Sequence, residues 1–311
     1  MHKAKKSRRT QMFVDLKGKT RIKLSLHTPM CKRSTDEVIE DCIEHGFDAV
    51  ALTSPWEYQD GKNPYSIKVL SGCEYSVGEL SEEYEAFHIV GVGMTSDPEV
   101  PSAWRDMKKT AKQKLSEIVK MIKKRNGLAI LCYPAHNANT AETLIDIGEF
   151  DGIEIFNSET VYGFSANGYA GEIVDRLALF GARPTLIASN GETCYEGEEF
   201  NCAVMVEATD MDTDHILRAL RQGRFYSTEG PEIHLERVGA DKVRVTCSPA
   251  VKIEFFSDGI RDFEDKVIEG ENLIEAEYVI KNGEKYVRAE ITDDCGFKAW
   301  SNIISFDELY R

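Results

Sequence analysis

Between residues 20 and about 228, apolar runs of strand length alternate with amphipathic runs of helix length, and this alternation restricts the fold more than any other feature. The strand-like runs are "RIKLSL", "DAVALT", "IKVLSGC", "FHIVGVG", "LAILCY", "GIEIFN", "TLIAS" and "AVMVEA". Several carry Val, Ile and Leu toward both faces, as strands do when helices cover a parallel sheet on each side. The intervening segments are punctuated as helices. "STDEVIEDCIEHG" opens on Ser34 with Glu37 three residues on, a capping box, and stops at Gly46. "DMKKTAKQKLSEIVKMIKKRNG" sets Met107, Ala111, Leu115, Ile118 and Ile122 on one stripe. "GYAGEIVDRLALFG" and "DTDHILRALRQG" end at Gly181 and Gly223. Repeated β-α units predict a (β/α) barrel or a doubly wound sheet, and in either the functional groups collect at the C-terminal ends of the strands.

After "RFYSTEGPE" the rhythm changes to all-β. "DKVRVTC" alternates, and "EAEYVIKNGEKYVRAEI" predicts a hairpin, with Asn282-Gly283 suited to a type I′ turn. Residues 230–311 are therefore expected to form a small β-sandwich-like unit. At the other end, residues 1–19 carry Lys3, Lys5, Lys6, Arg8, Arg9, Lys17 and Lys19 against Asp15 alone and predict a basic, solvated tail. The tail lacks the apolar stretch of a secretory signal.

The formal charge of −15 opposes binding to a nucleic-acid backbone, although a local pocket can still hold a small anion. No run reaches the length needed to span a bilayer. The eight cysteines form no Cys-x-x-Cys pair and are expected to be reduced, with the chain in the cytoplasm.

Ligand-type side chains cluster at the strand ends. His27 ends the first strand, with Ser25 on the same face two residues earlier. Glu74 follows "VLSGC", His88 opens "HIVGVG", His136 follows "LAILCYPA", and Asn190 and Glu192 follow "TLIAS". Each taken singly is more simply a hydrogen-bonded structural residue. Their joint placement is what a metal site in a barrel mouth requires. His45, His215 and His234 fall at a helix end, in a surface helix and in the C-terminal unit, and are set aside. Cys31 and Cys73 flank the site, so a cysteine–histidine nucleophile stays open as a different chemistry.

These motifs resemble the PHP superfamily, the polymerase and histidinol phosphatase domain, and within it proteins with a C-terminal β-domain after a phrase like "GRFYSTEGPEI". The resemblance runs from about residue 20 to "KAWSNII". It implies a distorted (β/α)7 barrel over residues 20–229, the β-domain over 230–311, and phosphoester hydrolysis by a cluster of two or three divalent metals in active members. The family opens with Asp-Leu-His-x-His-Thr and then Ser-Asp-Gly. Here His27 and Thr28 match, whereas Lys23, Ser25 and Lys32 depart. Thr-Asp-His has become Thr53-Ser54-Pro55, His-Pro has become Tyr133-Pro134, and the late Ser-Asp-x-His reads "ASNGETCY". Gly72-Cys73-Glu74 and His88 survive.

The resemblance thus implies a metal set reduced to His27, Glu74 and His88, holding one Zn, Mn or Mg ion at most, or none. Ser25, Lys32, Tyr133, His136, Asn190 and Glu192 are accessory candidates. Lys32 in place of an aspartate opposes a second metal and favours a phosphate. Two functions stay open: weak hydrolysis of a small phosphate ester, and a catalytically inactive barrel that binds a phosphorylated ligand or regulates.

Overall fold

The computed structural model describes residues 13–28, 33–78, 86–100, 109–164, 167–191, 200–259 and 266–306. The helices form where the caps direct. In α1 (Thr35–Glu44) the Ser34 side chain accepts from the Glu37 N–H while the Glu37 carboxylate accepts from the Ser34 N–H, and Val38, Ile39 and Cys42 are buried. Gly46, at φ +74°, turns the chain out of this helix. A second capping box, Thr110 with Gln113, starts α2 (Ala111–Lys124), which buries Leu115, Ile118, Val119 and Ile122. The sequence pattern begins this helix near Asp106; Met107 lies outside the described residues. A short α3 (Ala141–Ile145) has no counterpart in the sequence reading. α4 (Gly171–Leu179) and α5 (Thr213–Arg221) follow as expected, the latter capped by Asp212.

The strands form two sheets, and the fold is mixed α/β with strands predominating. The larger sheet contains β1 (Phe13–Val14), β2 (Thr20–Thr28), β3 (Ala49–Leu52), β4 (Lys68–Leu70), β10 (Ala203–Glu207) and β11 (Phe225–Thr228). It continues through β12 (Ile233–Val238), β13 (Lys242–Ser257), β14 (Val267–Val279), β15 (Tyr286–Thr292), β16 (Lys298–Ser301) and β17 (Ile304–Ser305). The smaller sheet runs in sequence order through β5 (Gly72–Val77), β6 (Phe87–Val92), β7 (Leu128–Cys132), β8 (Gly152–Asn157) and β9 (Thr185–Ser189).

Pairing is parallel in β2-β3-β4 and in β7-β8-β9, with helices in the β2–β3, β7–β8 and β8–β9 connections and an irregular segment between β3 and β4, but antiparallel in β5-β6-β7 and between β10 and β2. Burial on both strand faces therefore identified strands whose partners run in either direction. The sheets share one apolar cluster: Leu24, Leu26, Ala49 and Leu70 from the larger sheet meet Val90, Val92, Ile130 and Ile187 from the smaller. Only Ser71 separates β4 from β5, and the Ser227 hydroxyl bridges β9 to β11 by accepting from the Ala188 N–H and donating to Leu186 O.

Residues 13–19 form a turn against β2, with Asp15 N–H donating to Lys19 O and buried Arg21 gripping Asp15 at 2.6 Å. Lys17 and Lys19 pair with Glu236 and Glu207. The remainder of the expected basic tail lies outside the described residues.

The expected hairpin over 275–291 does not form. β14 and β15 both pair with β13 and not with each other. The Asn282-Gly283 turn is present, closed by Glu284 N–H donating to Lys281 O, but it carries the chain across to the other side of β13. Alternation marks these segments as strands; it does not choose their neighbours. β13 can serve both because they take its opposite edges: Lys252, Ile253 and Glu254 pair with β14 on one side and with β15 on the other. The C-terminal strands join the same large sheet where β11 pairs with β16, and a second apolar cluster runs from Val38, Ile39 and Val50 to Val243, Ile253 and Ile291. No helix among the described residues is long and apolar enough to cross a membrane.

Candidate functional site

β2 delivers His27 to a position where Thr28 and Thr53 hold the ends of β2 and β3 together through paired backbone and hydroxyl hydrogen bonds. β5 delivers Glu74, whose backbone pairs with Ser54 O and Trp56 N–H beyond the end of β3. β8 delivers Glu154, which the sequence reading does not include. All three side chains are buried, His27 at 2% exposure and each glutamate at 1%.

His27 lies between the two carboxylates. Its Nδ1 is 2.7 Å from Glu154 Oε1, and its Nε2 is 3.4 Å from Glu74 Oε2. Burial alone disfavours a charged ring, but Cys132 and Glu154 outweigh it and hold the imidazole well above its ordinary value. Burial likewise works to raise Glu154, yet His27, the Ser189 hydroxyl and the Tyr133 N–H bring it below the usual carboxylate range. Glu74 Oε1 is buried and makes no hydrogen bond. A buried carboxylate oxygen without a donor is unusual in a purely structural network.

Tyr133 follows β7 in the left-handed region, at φ +53°. That conformation costs a non-glycine residue about 1–2 kcal/mol. Its N–H donates to Glu154 Oε2 at 2.9 Å, and its ring meets the edges of His27 and His88 at centroid distances of 5.3 and 5.4 Å. His88, opposite Cys132 in the β6-β7 register, accepts from the Asn137 amide at 3.0 Å. Burial, opposed by the nearby Glu74, keeps its pKa low.

His27, Glu74, His88 and Tyr133 therefore come together. Ser25 does not join them; its hydroxyl is 2.7 Å from the Thr28 hydroxyl. Asn190 is buried but turned to a structural task, since its amide exchanges two hydrogen bonds with the Cys202 backbone. His136 is exposed in the turn after β7. Lys32, Glu192 and Cys31 lie outside the described residues. Cys73 is buried, and burial pushes its thiol up to about 12, which disfavours a thiolate nucleophile.

Glu154, Asn157, Ser189 and Cys132 were the residues missed. Glu154 did leave a signal, because an ionisable side chain inside "GIEIFN" sits in a strand that is buried at every position.

The likeness to known proteins is confined to structure. No family model and no curated protein matches the chain. A solved structure from Bacteroides vulgatus, a two-domain protein containing a predicted PHP-like metal-dependent phosphoesterase, aligns over 96% of this chain and 99% of its own with a TM-score of 0.50. The two are 16% identical. The likeness is one of fold.

Do the donors present suit a divalent cation? Two ligands at about 2.0–2.2 Å from a tetrahedral ion stand roughly 3.4 Å apart. The His27 Nε2 to Glu74 Oε2 separation of 3.4 Å has that spacing and is long for a hydrogen bond. With Nδ1–H donated to Glu154, the Nε2 position facing Glu74 is filled by a proton, which the raised pKa of His27 favours, or by a cation that displaces it. The residues fit. A His27–Cys132–Glu154 grouping, with ligand atoms within 4.8 Å of one another, is a second possible donor set. It suits a cation less well, because burial raises the Cys132 thiol and keeps it protonated.

Proposed function

We propose that this chain is a PHP-like phosphoesterase relative, with β2–β4, β10 and β11 of the larger sheet and the five strands of the smaller sheet as the halves of a distorted (β/α)7 barrel over residues 20–229, and a C-terminal β-domain spanning 230–311. In this reading it acts weakly on a small phosphate ester. The single observation that carries the reading is the His27–Glu74 pair: an imidazole fixed on its far side by a carboxylate, at chelate distance from a glutamate whose other oxygen has no donor. His27 and Glu74 would hold one Zn, Mn or Mg ion. Such an ion, when bound, supplies Lewis-acid polarisation and lowers the pKa of a coordinated water. The chain's own part is to keep Nδ1 protonated, to turn Nε2 toward Glu74, and to hold the Tyr133 ring edge-on against both histidines. The fold likeness supports the assignment of class.

The placement of Asn190 and His136 favours a second reading, a phosphate-ligand-binding module without turnover. The Asn190 amide is taken up by the Cys202 backbone and His136 is exposed in the turn after β7, so neither adds a donor to the His27–Glu74 pair. Glu74→Gln separates the two. If the enzyme reading holds, elemental analysis of the parent shows one ion per chain. The variant then loses it by more than the about 10–100-fold that an outer-shell change costs, together with turnover of sugar and nucleoside phosphates. Turnover that survives both the variant and a chelator refutes the cation reading. No turnover in a parent that saturably binds phosphate esters selects the binding module.

A further inference from the structure

We propose that Glu154 is the positioning residue of this site, setting which nitrogen of His27 faces Glu74; the inference rests on the cation reading of that pair. A carboxylate offers about four lone-pair directions. All four are occupied in Glu154. Oε1 accepts from His27 Nδ1 at 2.7 Å and from the Ser189 hydroxyl at 2.5 Å. Oε2 accepts from the Tyr133 N–H at 2.9 Å and from the Asn157 amide at 3.3 Å. To become a ligand itself, Glu154 must surrender one of these donors in a site where water cannot replace it. The contrast with Glu74 is sharp, since Glu74 has one oxygen with no donor. One glutamate is saturated and fixed, and the other is open.

The left-handed Tyr133 explains how the fixing is achieved. Its backbone turns an N–H onto Glu154 Oε2, so the orientation of the carboxylate is set by the main chain just after β7 and does not depend on long side chains alone. With Glu154 held, the imidazole has one favourable orientation: Nδ1–H toward Glu154 and Nε2 toward Glu74. A carboxylate behind a ligating histidine does this generally, fixing tautomer and ring orientation.

The test uses the full chain labelled with ¹⁵N-histidine and read by NMR, with Zn²⁺ as probe. The expected parent spectrum shows His27 Nδ1 carrying its proton both before and after Zn²⁺ is added, with the metal-induced shift confined to Nε2. Glu154→Gln should lower Zn²⁺ affinity about 10–100-fold and release the fixed Nδ1 proton to exchange, and Glu154→Asp should recover part of both. Ser189→Ala, which removes one donor and leaves the carboxylate, should shift the Nδ1 proton resonance and weaken Zn²⁺ binding less, and it keeps the test open if the Gln variant does not fold. A parent His27 with a bare Nδ1, or variants that bind Zn²⁺ as tightly as the parent with the same tautomer, overturns the proposal. A parent that binds no Zn²⁺ refutes the cation reading instead, and the Nδ1 proton then decides this inference alone.

Discussion

Arg288→Met is expected to be among the most damaging single substitutions in the molecule. Arg288 is fully buried on β15, and its guanidinium takes both oxygens of Asp175 on α4 at 2.7 Å while Nη1 donates to Glu290. It also lies 3.9 Å from the centroid of Phe256. Methionine fills much of the volume but leaves Glu290, 1% exposed, with only the Tyr169 hydroxyl and Lys298 at 3.7 Å. Breaking a buried pair from one side costs about 3–5 kcal/mol, because the remaining charge is stranded. Loss of the ring contact adds on the order of 1 kcal/mol. The Asp175 side is about a quarter exposed, so little is added for that half. Urea unfolding followed by circular dichroism should place the variant about 4–6 kcal/mol below the parent. Adding Glu290→Gln should recover at least about 2 kcal/mol, since the stranded charge is then gone. A loss below about 1 kcal/mol, or strict additivity in the double variant, would refute the stranded-charge argument.

Burial pushes His234, beside Arg21, down to about 4. The unfolded chain binds this proton below about 6.5 and the native chain does not, so stability falls as pH drops from about 6.5 to about 4, by roughly 2–3 kcal/mol. His234→Gln should flatten that part of the urea-derived stability curve relative to the parent, and parallel curves would contradict the assignment. Ser34→Ala should cost about 1 kcal/mol through loss of the α1 cap, with Ser34→Asp close to neutral, measured by thermal unfolding. A chain ended after residue 229 loses β16 and bares the Tyr226–Thr228 edge of β11, so it should aggregate, and a monodisperse profile on size exclusion would argue otherwise.

What could be read from the sequence was what neighbours in sequence decide. The Ser34–Glu37 capping box and the glycine stops at Gly46, Gly181 and Gly223 all act within one helical turn, and the structure has them where the pattern put them. Polar groups beside apolar runs also drew attention to His27, Glu74 and His88; in the fold His27 lies near the end of its strand, whereas Glu74 lies within β5 and His88 near the start of β6. Strand partners were hidden. Nothing within "EAEYVIKNGEKYVRAEI" reveals that a longer strand separates its two halves. Glu154 was hidden for a related reason: its meaning comes from His27, Ser189 and the Tyr133 N–H, groups that only the folded sheet brings together. Asn190 shows the converse, a residue of plausible type at a plausible place whose amide is taken up by the main chain.

The pairing of β2 with β10 sets Leu24 opposite Val204, so the strand that carries His27 is flanked on one side by a segment made much later. During synthesis the first helices and the β5-β6 hairpin can form from local contacts, but β2 stays an open edge until residues 203–207 have left the ribosome. The histidine is thus encoded near the start of the chain and locked into place near the end of folding. A nascent chain stalled before β10 should hold α1–α4 and lack the site, with the β2 edge bared to chaperones until β10 is made.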